Sequence, residues 1–321
     1  MAVLGGQSVD RPPISMWRHF YSNETSAQGL ADAMLSFQHE FDWDFMKINP
    51  RASYHGEVWG LRVEYNGNGP PRNVSWPIQI PTDWRTLEVV SPQEGILGEQ
   101  LHALEIIASG LNGKVPFLMT IFSPLSIAAR LVPSEDLFLM YLREYPEEVN
   151  RALKVITQTF AGFSRACLEL GASGIFFATT SWATSQRLSW QEYLSYAKQY
   201  DLDLLDAVSS AEFNLLHVCK DYNFLKELQD YPTHAFNWDT HGAGNLSLAE
   251  GKAFFNGRPV IGGIPHQAGL LEAKPSQLEK MVADTIKTMG DQGWMLGTGC
   301  TFDPTTQQRS IHAIRQAVDK I

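Results

Sequence analysis

Eight short apolar runs, separated by longer stretches of chain, are the feature that most constrains how this sequence can fold. Each run has the length and composition of a buried strand. Amphipathic segments typical of helices lie between them, the clearest at residues 24–41 and 147–171. Strands that alternate with helices favour parallel pairing through right-handed crossovers. The runs occupy residues 14–20, 44–50, 115–122, 173–179, 213–219, 234–239, 259–264 and 293–299.

Several of the intervening helices are expected to begin at capping boxes, in which a serine and a glutamate three residues later bind free backbone N–H groups. The pairs are Ser189 with Glu192, Ser247 with Glu250 and Ser276 with Glu279. Eight strand-and-helix units in 321 residues predict an α/β protein with a closed (β/α)₈ barrel of the TIM type. Because no glycine-rich phosphate-binding motif opens any βα turn, a nucleotide-binding open sheet is disfavoured. We expect one domain over residues 1–321, with residues 51–94 as a long excursion after the second strand.

Charge and composition exclude several kinds of partner. The formal net charge is −10, so no basic stripe is available to neutralise the phosphates of a nucleic acid. No apolar run approaches the roughly 18 residues that a membrane span needs. The first residues do not follow the signal-peptide pattern, and three cysteines are too few for a disulfide framework. We therefore expect a cytoplasmic protein with no nucleic-acid or membrane partner.

Two strand ends carry residues that could bind a metal ion. His217 and Cys219 close the fifth run, and their spacing of two places both side chains on one face of a strand. Cys300 follows the eighth run directly after Gly-Thr-Gly. In TIM barrels the carboxyl ends of all strands face one mouth, where active sites form. Two thiolates and one imidazole suit zinc, and three protein ligands leave its fourth position open, which is typical of a catalytic site.

The competing interpretation treats each cysteine as a small buried hydrophobe. We apply it to Cys167, which lies inside a predicted helix. For the other two cysteines the long gap favours catalysis, because 80 residues lie between Cys219 and Cys300 whereas structural zinc modules take their ligands from close pairs. The sequence thus predicts a zinc site formed by His217, Cys219 and Cys300.

Five segments of the chain resemble the uroporphyrinogen decarboxylase superfamily, whose fold is a (β/α)₈ barrel. They are "SMWRHF", "FDWDFMKINP", "FSPLSIAARL", "LHVC" and "GWMLGTGCTFDPTTQQRSIHAI". The decarboxylase branch uses no metal and holds a polycarboxylated tetrapyrrole with a paired-arginine motif near the first strand and an aspartate at the end of the second. Here only Arg18 remains of the first motif, and Lys47 stands where the acid is sought. The loss of an arginine from a carboxylate site weakens the decarboxylase interpretation.

The other branch of this superfamily consists of zinc-dependent, corrinoid-dependent methyltransferases of the methylcobalamin:coenzyme M type. Its zinc motif is His-x-Cys, a long gap and a further Cys, which His217, Cys219 and Cys300 match in order. The resemblance implies methyl transfer from a corrinoid such as methylcobalamin to a zinc-activated thiol, a corrinoid protein as a possible partner, and a homodimer. Two alternatives stay open: a metal-free decarboxylase of a tetrapyrrole or other polycarboxylate, and a non-catalytic barrel that binds a ligand or a corrinoid protein.

Further residues near strand ends are candidates for the surroundings of the metal and for substrate binding. Asp239 could bind the metal or orient His217, or simply act as a loop carboxylate. Arg18 and His19 could hold an anionic end of a thiol or carboxylate substrate. We expect Lys47, Trp17, His241 and His266 to contribute to the mouth of the barrel.

Overall fold

A computed structural model describes residues 2–320 of the chain, and its centre is a nearly closed barrel of eight parallel strands. In spatial order the strands run β1, β10, β9, β8, β7, β6, β5, β2. The barrel strands are β1 Ile14–Ser15, β2 Met46–Ile48, β5 Phe117–Phe122, β6 Gly174–Ala178, β7 Leu215–Val218, β8 Ala235–Trp238, β9 Val260–Ile264 and β10 Trp294–Thr298. Two further strands, β3 Arg62–Glu64 and β4 Arg72–Ser75, pair only with each other. The predicted (β/α)₈ barrel is confirmed.

The gap between β1 and β2 is bridged by Asp44 rather than by a strand ladder. Its backbone N–H donates to the carbonyl of Ile14 at 3.0 Å, and its carboxylate accepts the N–H of Ile14 at 2.8 Å. Arg11 donates to both oxygens of the same carboxylate, at 2.7 and 3.0 Å. A bidentate pair of this kind fixes the position of the carboxylate.

Helices cover the outside of the barrel after most strands. They are α1 Ala27–Phe41, α2 Tyr54–Glu57, α3 Gly95–Leu111, α4 Pro124–Arg130, α5 Glu135–Glu144, α6 Pro146–Glu169, α7 Trp190–Tyr193, α8 Gln199–Asp206, α9 Leu248–Phe254, α10 Ala268–Leu271, α11 Pro275–Met289 and α12 Gln308–Asp319. A single π-helical turn, Leu194–Lys198, joins α7 to α8. Turns rather than a helix connect β7 to β8. No helix within residues 2–320 is long and apolar enough to cross a membrane.

Strand residues alternate between two cores. Leu215 of β7 belongs to a cluster inside the barrel with Trp17, Phe176 and Ile261, whereas Leu216 packs in the larger layer between strands and helices. This alternation follows from the period of two along a strand. His217 and Cys219 share the parity of Leu215, and they therefore project toward the barrel axis above the inner cluster.

Two of the three predicted capping boxes are confirmed, at Ser189 and at Ser247. The third is wrong, because α11 begins at Pro275, one residue before the predicted cap Ser276. Proline is favoured at the first helical position by its fixed φ. The side chain of Gln277 accepts the backbone N–H of Lys274 at 2.8 Å and completes this start of the helix.

The excursion at residues 51–94 has regular structure of its own. It contains α2, the β3–β4 hairpin and a 3₁₀ turn, Pro81–Thr86. The hairpin side chains are exposed or half-buried along both strands. Residues of the excursion, among them His55 and Asn73, line a cavity of about 300 Å³.

Candidate metal centre

Three side chains that are distant in sequence meet at the mouth of the barrel. The sulfur of Cys300 lies 3.7 Å from the sulfur of Cys219 and 3.6 Å from Nε2 of His217. All three ligand atoms lie within 4.8 Å of one another. Within residues 2–320 this is the only group of three or more His, Cys, Asp or Glu side chains close enough to hold one metal ion. His217 is buried, and the two cysteines are half-buried.

Glycines next to Cys300 allow the eighth barrel strand to approach its neighbours closely. A Cβ atom added at Gly297 would lie 2.8 Å from Cγ2 of Ile261, and one added at Gly299 would lie 2.9 Å from Cα of Asp239. Only glycine fits such approaches without a shift of the chain. The Gly-Thr-Gly sequence therefore places Cys300 beside the end of β7, although β8 and β9 lie between the two strands in the sheet.

Asn237 fixes the orientation and the tautomer of His217. Both protons of its Nδ2 are donated to backbone carbonyls, those of Ile261 at 2.9 Å and Thr298 at 3.0 Å. Its Oδ1 therefore faces Nδ1 of His217, at 2.6 Å, and must accept a proton from it. The lone pair of the neutral imidazole is then on Nε2, which points at Cys300. This is the tautomer that a metal ligand requires.

The sulfurs of Cys219 and Cys300 lie within hydrogen-bonding distance of each other. Their mutual hydrogen bond is the main cause that raises the pKa of Cys219 well above its usual value and lowers the pKa of Cys300. Burial also raises the pKa of Cys219, and the positive charges of Lys47 and Lys220 help to lower that of Cys300. Two cysteine sulfurs that can lose their protons and a bare imidazole nitrogen are the donors that a soft cation needs. The residues thus fit a zinc ion by their chemistry and by their convergence.

A cavity of about 270 Å³ lies in front of the three side chains. Trp17, His19 and Lys47, three of the predicted substrate-binding residues, line it, together with Phe122, Phe176 and Lys220. No aspartate or glutamate is among its lining residues. In a chain with a net charge of −10, a cavity with cations and no carboxylates favours an anionic or electron-rich ligand.

Lys47 is buried in this cavity, and no carboxylate within residues 2–320 lies within 4.0 Å of its Nζ. Its Nζ lies 4.8 Å from the centre of the Phe176 ring, and burial lowers its pKa to about 7. The ring of Phe176 also stacks on His217, with centroids 5.1 Å apart. His19 is held differently, since its Nδ1 lies 2.9 Å from Oε2 of the fully buried Glu24. Both residues remain predicted substrate contacts.

The other predicted residues lie outside the lining of this cavity. The guanidinium of Arg18 lies over the ring of Phe20, 5.0 Å from its centre. Asp239 accepts the backbone N–H of His241 at 3.0 Å, and its Oδ2 lies 3.9 Å from Nδ1 of His266. None of these side chains is among the three possible ligands that converge within residues 2–320.

In this structure His217 is held not by Asp239, one of the roles predicted for that residue, but by Asn237. The available signal was its position on the next strand of the barrel. His217 and Asn237 are directly paired in the parallel register of β7 and β8. A buried amide beside a possible metal ligand is a candidate for orienting it.

Comparisons with known proteins agree with this architecture. The uroporphyrinogen decarboxylase (URO-D) family model matches residues 1–321. A methyltransferase from Methanosarcina mazei is similar in structure, with a TM-score of 0.85 and 19% identity over 100% of this chain and 97% of the other. A B12-independent methionine synthase from Shewanella sp. W3-18-1 has a TM-score of 0.61 and 11% identity over 99% and 98%.

These two likenesses show the fold alone, because both identities are low. A comparison of the sequence with curated proteins found no match. The family assignment rests instead on the model that matches the whole chain. The chain belongs to the uroporphyrinogen decarboxylase (URO-D) family.

Proposed function

We propose that this protein is a zinc-dependent methyltransferase that methylates a thiol. His217, Cys219 and Cys300 would hold the ion, and the substrate thiol would take the fourth position from the 270 Å³ cavity. The observation that carries the proposal is the convergence of these three donor atoms, with Nε2 of His217 left bare by the hydrogen bond to Asn237.

Zinc, when bound, would keep a substrate thiol deprotonated near neutral pH. This matters because the thiolate, and not the thiol, is the effective nucleophile. The protein's own residues do the rest. Cys219 and Cys300 as cysteinates would keep a bound zinc ion electron-rich, so a substrate thiolate held there would retain its nucleophilic character. Trp17 and Phe176 cover the inner wall of the cavity and exclude water, while Lys47 and Lys220 attract an electron-rich substrate.

The lining of the 270 Å³ cavity favours methyl transfer over a decarboxylase reaction on a tetrapyrrole. No arginine is among the lining residues of this cavity, although the several carboxylates of such a substrate would each need a cationic partner. The structural likeness to the M. mazei methyltransferase adds support. The corrinoid donor, such as methylcobalamin, a corrinoid protein partner, a homodimer and a cytoplasmic location stay predictions.

The test is metal analysis of protein purified without added zinc. We expect about one zinc ion per chain, lost in Cys300→Ser and retained in Cys167→Ser, a matched control because Cys167 is buried in α6. The zinc-loaded protein should then transfer methyl from methylcobalamin to one member of a panel of small thiols. Full zinc occupancy in Cys300→Ser would refute the proposed ligand set. Carbon dioxide release from a porphyrinogen after chelation would favour the decarboxylase alternative.

A further inference from the structure

Glu24, in the loop between β1 and α1, is a fully buried carboxylate that has no part in the reaction proposed above. Its Oε2 lies 2.9 Å from Nδ1 of His19 and accepts the backbone N–H of Phe20 at 3.3 Å. Its Oε1 accepts the backbone N–H of Ala52 at 2.8 Å. Backbone N–H groups only donate, so both oxygens act as acceptors, which is the pattern of an ionised carboxylate. Glu24 therefore holds Nδ1 of His19 as a donor.

The other ring nitrogen of His19 is left to bind a ligand. When the proton of the neutral ring is on Nδ1, the lone pair is on Nε2. Within residues 2–320 no hydrogen bond reaches Nε2, and this atom is accessible to solvent, unlike the buried Nδ1 of His55. The ring lines the cavity in front of the metal centre, as Cys300 does. A histidine with a carboxylate on one nitrogen and a lone pair on the other has the arrangement of a general base.

Lys47 shows that this pair and the metal centre are close to each other. Burial lowers the pKa of Lys47 to about 7, while the negative charges of Cys300 and Glu24 both raise it. Its ammonium group therefore lies in the electric field of both residues. Since His19, Lys47 and Cys300 line one cavity of about 270 Å³, a proton can pass from a thiol beside Cys300 to Nε2 of His19 directly or through one water molecule.

Glu24 is the only carboxylate within 4.0 Å of the His19 ring in the part of the chain that the structure describes. Burial raises the pKa of both nearby phenols, that of Tyr21 to about 12, and lowers the pKa of His55 well below its usual value. These three rings are therefore neutral near pH 7, and a positive charge on His19 is compensated by Glu24. The titratable groups around the pair are Arg18, Tyr21, Lys47, His55 and Tyr65.

We propose that His19 is the catalytic base that takes the proton of the substrate thiol, and that Glu24 is the positioning residue that prepares it for this step. The S–H bond breaks, its electron pair stays on sulfur, and the proton forms an N–H bond at Nε2. The imidazolium then pairs with Glu24 through Nδ1–H, which offsets the cost of burying the carboxylate. The proton passes to water when the methylated product leaves. The inference rests on the proposed function and gives His19 a role other than contact with an anionic end of the substrate.

The test counts the protons released when the zinc-loaded protein binds 2-mercaptoethanol, a thiol without a charged end. Calorimetric titrations at pH 7 in two buffers with different enthalpies of ionisation give this number. Because the unbound thiol is protonated at this pH, its proton must go to the protein or to the buffer. We expect almost no release from the wild type and about one proton per bound thiol from His19→Asn. Glu24→Gln should also release most of the proton, because the imidazolium loses its counter-charge.

The matched control is His102→Asn, which removes an exposed histidine of α3 and should leave the proton count unchanged. Lys47→Met examines the other basic group of the cavity and should leave the count unchanged as well. Zinc content and urea unfolding establish that each variant is folded. If Glu24→Gln does not fold, His19→Asn still decides the question.

Two results would overturn the inference while leaving the metal site intact. One is the same proton count in His19→Asn as in the wild type. The other is a rise in the count in Lys47→Met without a rise in His19→Asn, which would assign the proton to Lys47. If 2-mercaptoethanol does not bind, or binds Cys300→Ser as tightly as the wild type, the proposed function fails, and the role of His19 fails with it.

Discussion

Replacing Asn237 with leucine should weaken metal binding through His217, without any change to a metal ligand. The amide makes three buried hydrogen bonds, at 2.6 Å to His217, 2.9 Å to Ile261 and 3.0 Å to Thr298. Leucine has a similar size but makes none of them. The tautomer of His217 is then no longer fixed, and loss of such a partner typically costs about tenfold to a hundredfold in metal affinity.

The same change should also lower the free energy of unfolding. Each buried group left without a partner costs about 1 to 3 kcal/mol, so three groups cost roughly 3 kcal/mol at the low end of the range. Total stabilities of about 5 to 15 kcal/mol leave such a variant folded at room temperature. Zinc affinity is measured by competition with a chelator, and stability by urea unfolding of the metal-free protein.

A double-mutant cycle separates the two effects. In the His217→Ala background, Asn237→Leu should change zinc affinity by no more than about twofold, because the side chain that Asn237 orients is absent. An equal loss of affinity in both backgrounds would refute the reasoning. It would mean that Asn237 acts through the general packing of the barrel rather than through His217.

Three further predictions concern the buried carboxylate, the chain at the mouth and the proton balance. Burial raises the pKa of Asp201 from 3.8 to about 7, so its contribution to stability is complete below about pH 4 and is lost as the pH rises through 7. Asp201→Asn should remove this loss, which amounts to about 3 kcal/mol between pH 5 and pH 8, in urea unfolding. The exposed control Asp206→Asn should keep the loss, and an Asp201→Asn variant that keeps it as well would contradict the assignment. Gly299→Ala should lower zinc affinity roughly tenfold, because the added Cβ would lie 2.9 Å from Cα of Asp239 and would displace Cys300, the next residue. An unchanged zinc affinity would show that the chain at Gly299 does not position Cys300. Zinc binding near pH 7 should release at least about one proton per ion, because the raised pKa of Cys219 keeps this thiol protonated in the metal-free protein. A zinc titration in weak buffer that causes no acidification would contradict this prediction.

The barrel could be predicted because buried parallel strands are continuous apolar runs bounded by breaks in the sequence. Residues 213–219 and 293–299 are of this kind, and both contain a strand. The hairpin of the excursion could not be predicted in the same way. Its strands have three and four residues and expose side chains such as Arg62, Glu64 and Arg72, so no burial pattern marks them.

The cluster of His217, Cys219 and Cys300 followed from one rule, that strand ends face a common mouth. Its surroundings needed coordinates. Asn237 has the sequence appearance of any buried polar residue, and its role becomes visible only from the register of two strands.

The central claim is that two sulfurs and one nitrogen bind a single cation, and substitution of cobalt for zinc tests it most directly. Titration of the metal-free protein with Co²⁺ should produce thiolate-to-cobalt absorption bands that saturate at about one ion per chain. The bands should weaken in both Cys219→Ser and Cys300→Ser and persist in Cys167→Ser. Absence of these bands in the wild type, or bands unaffected by either of the first two substitutions, would contradict the proposed site.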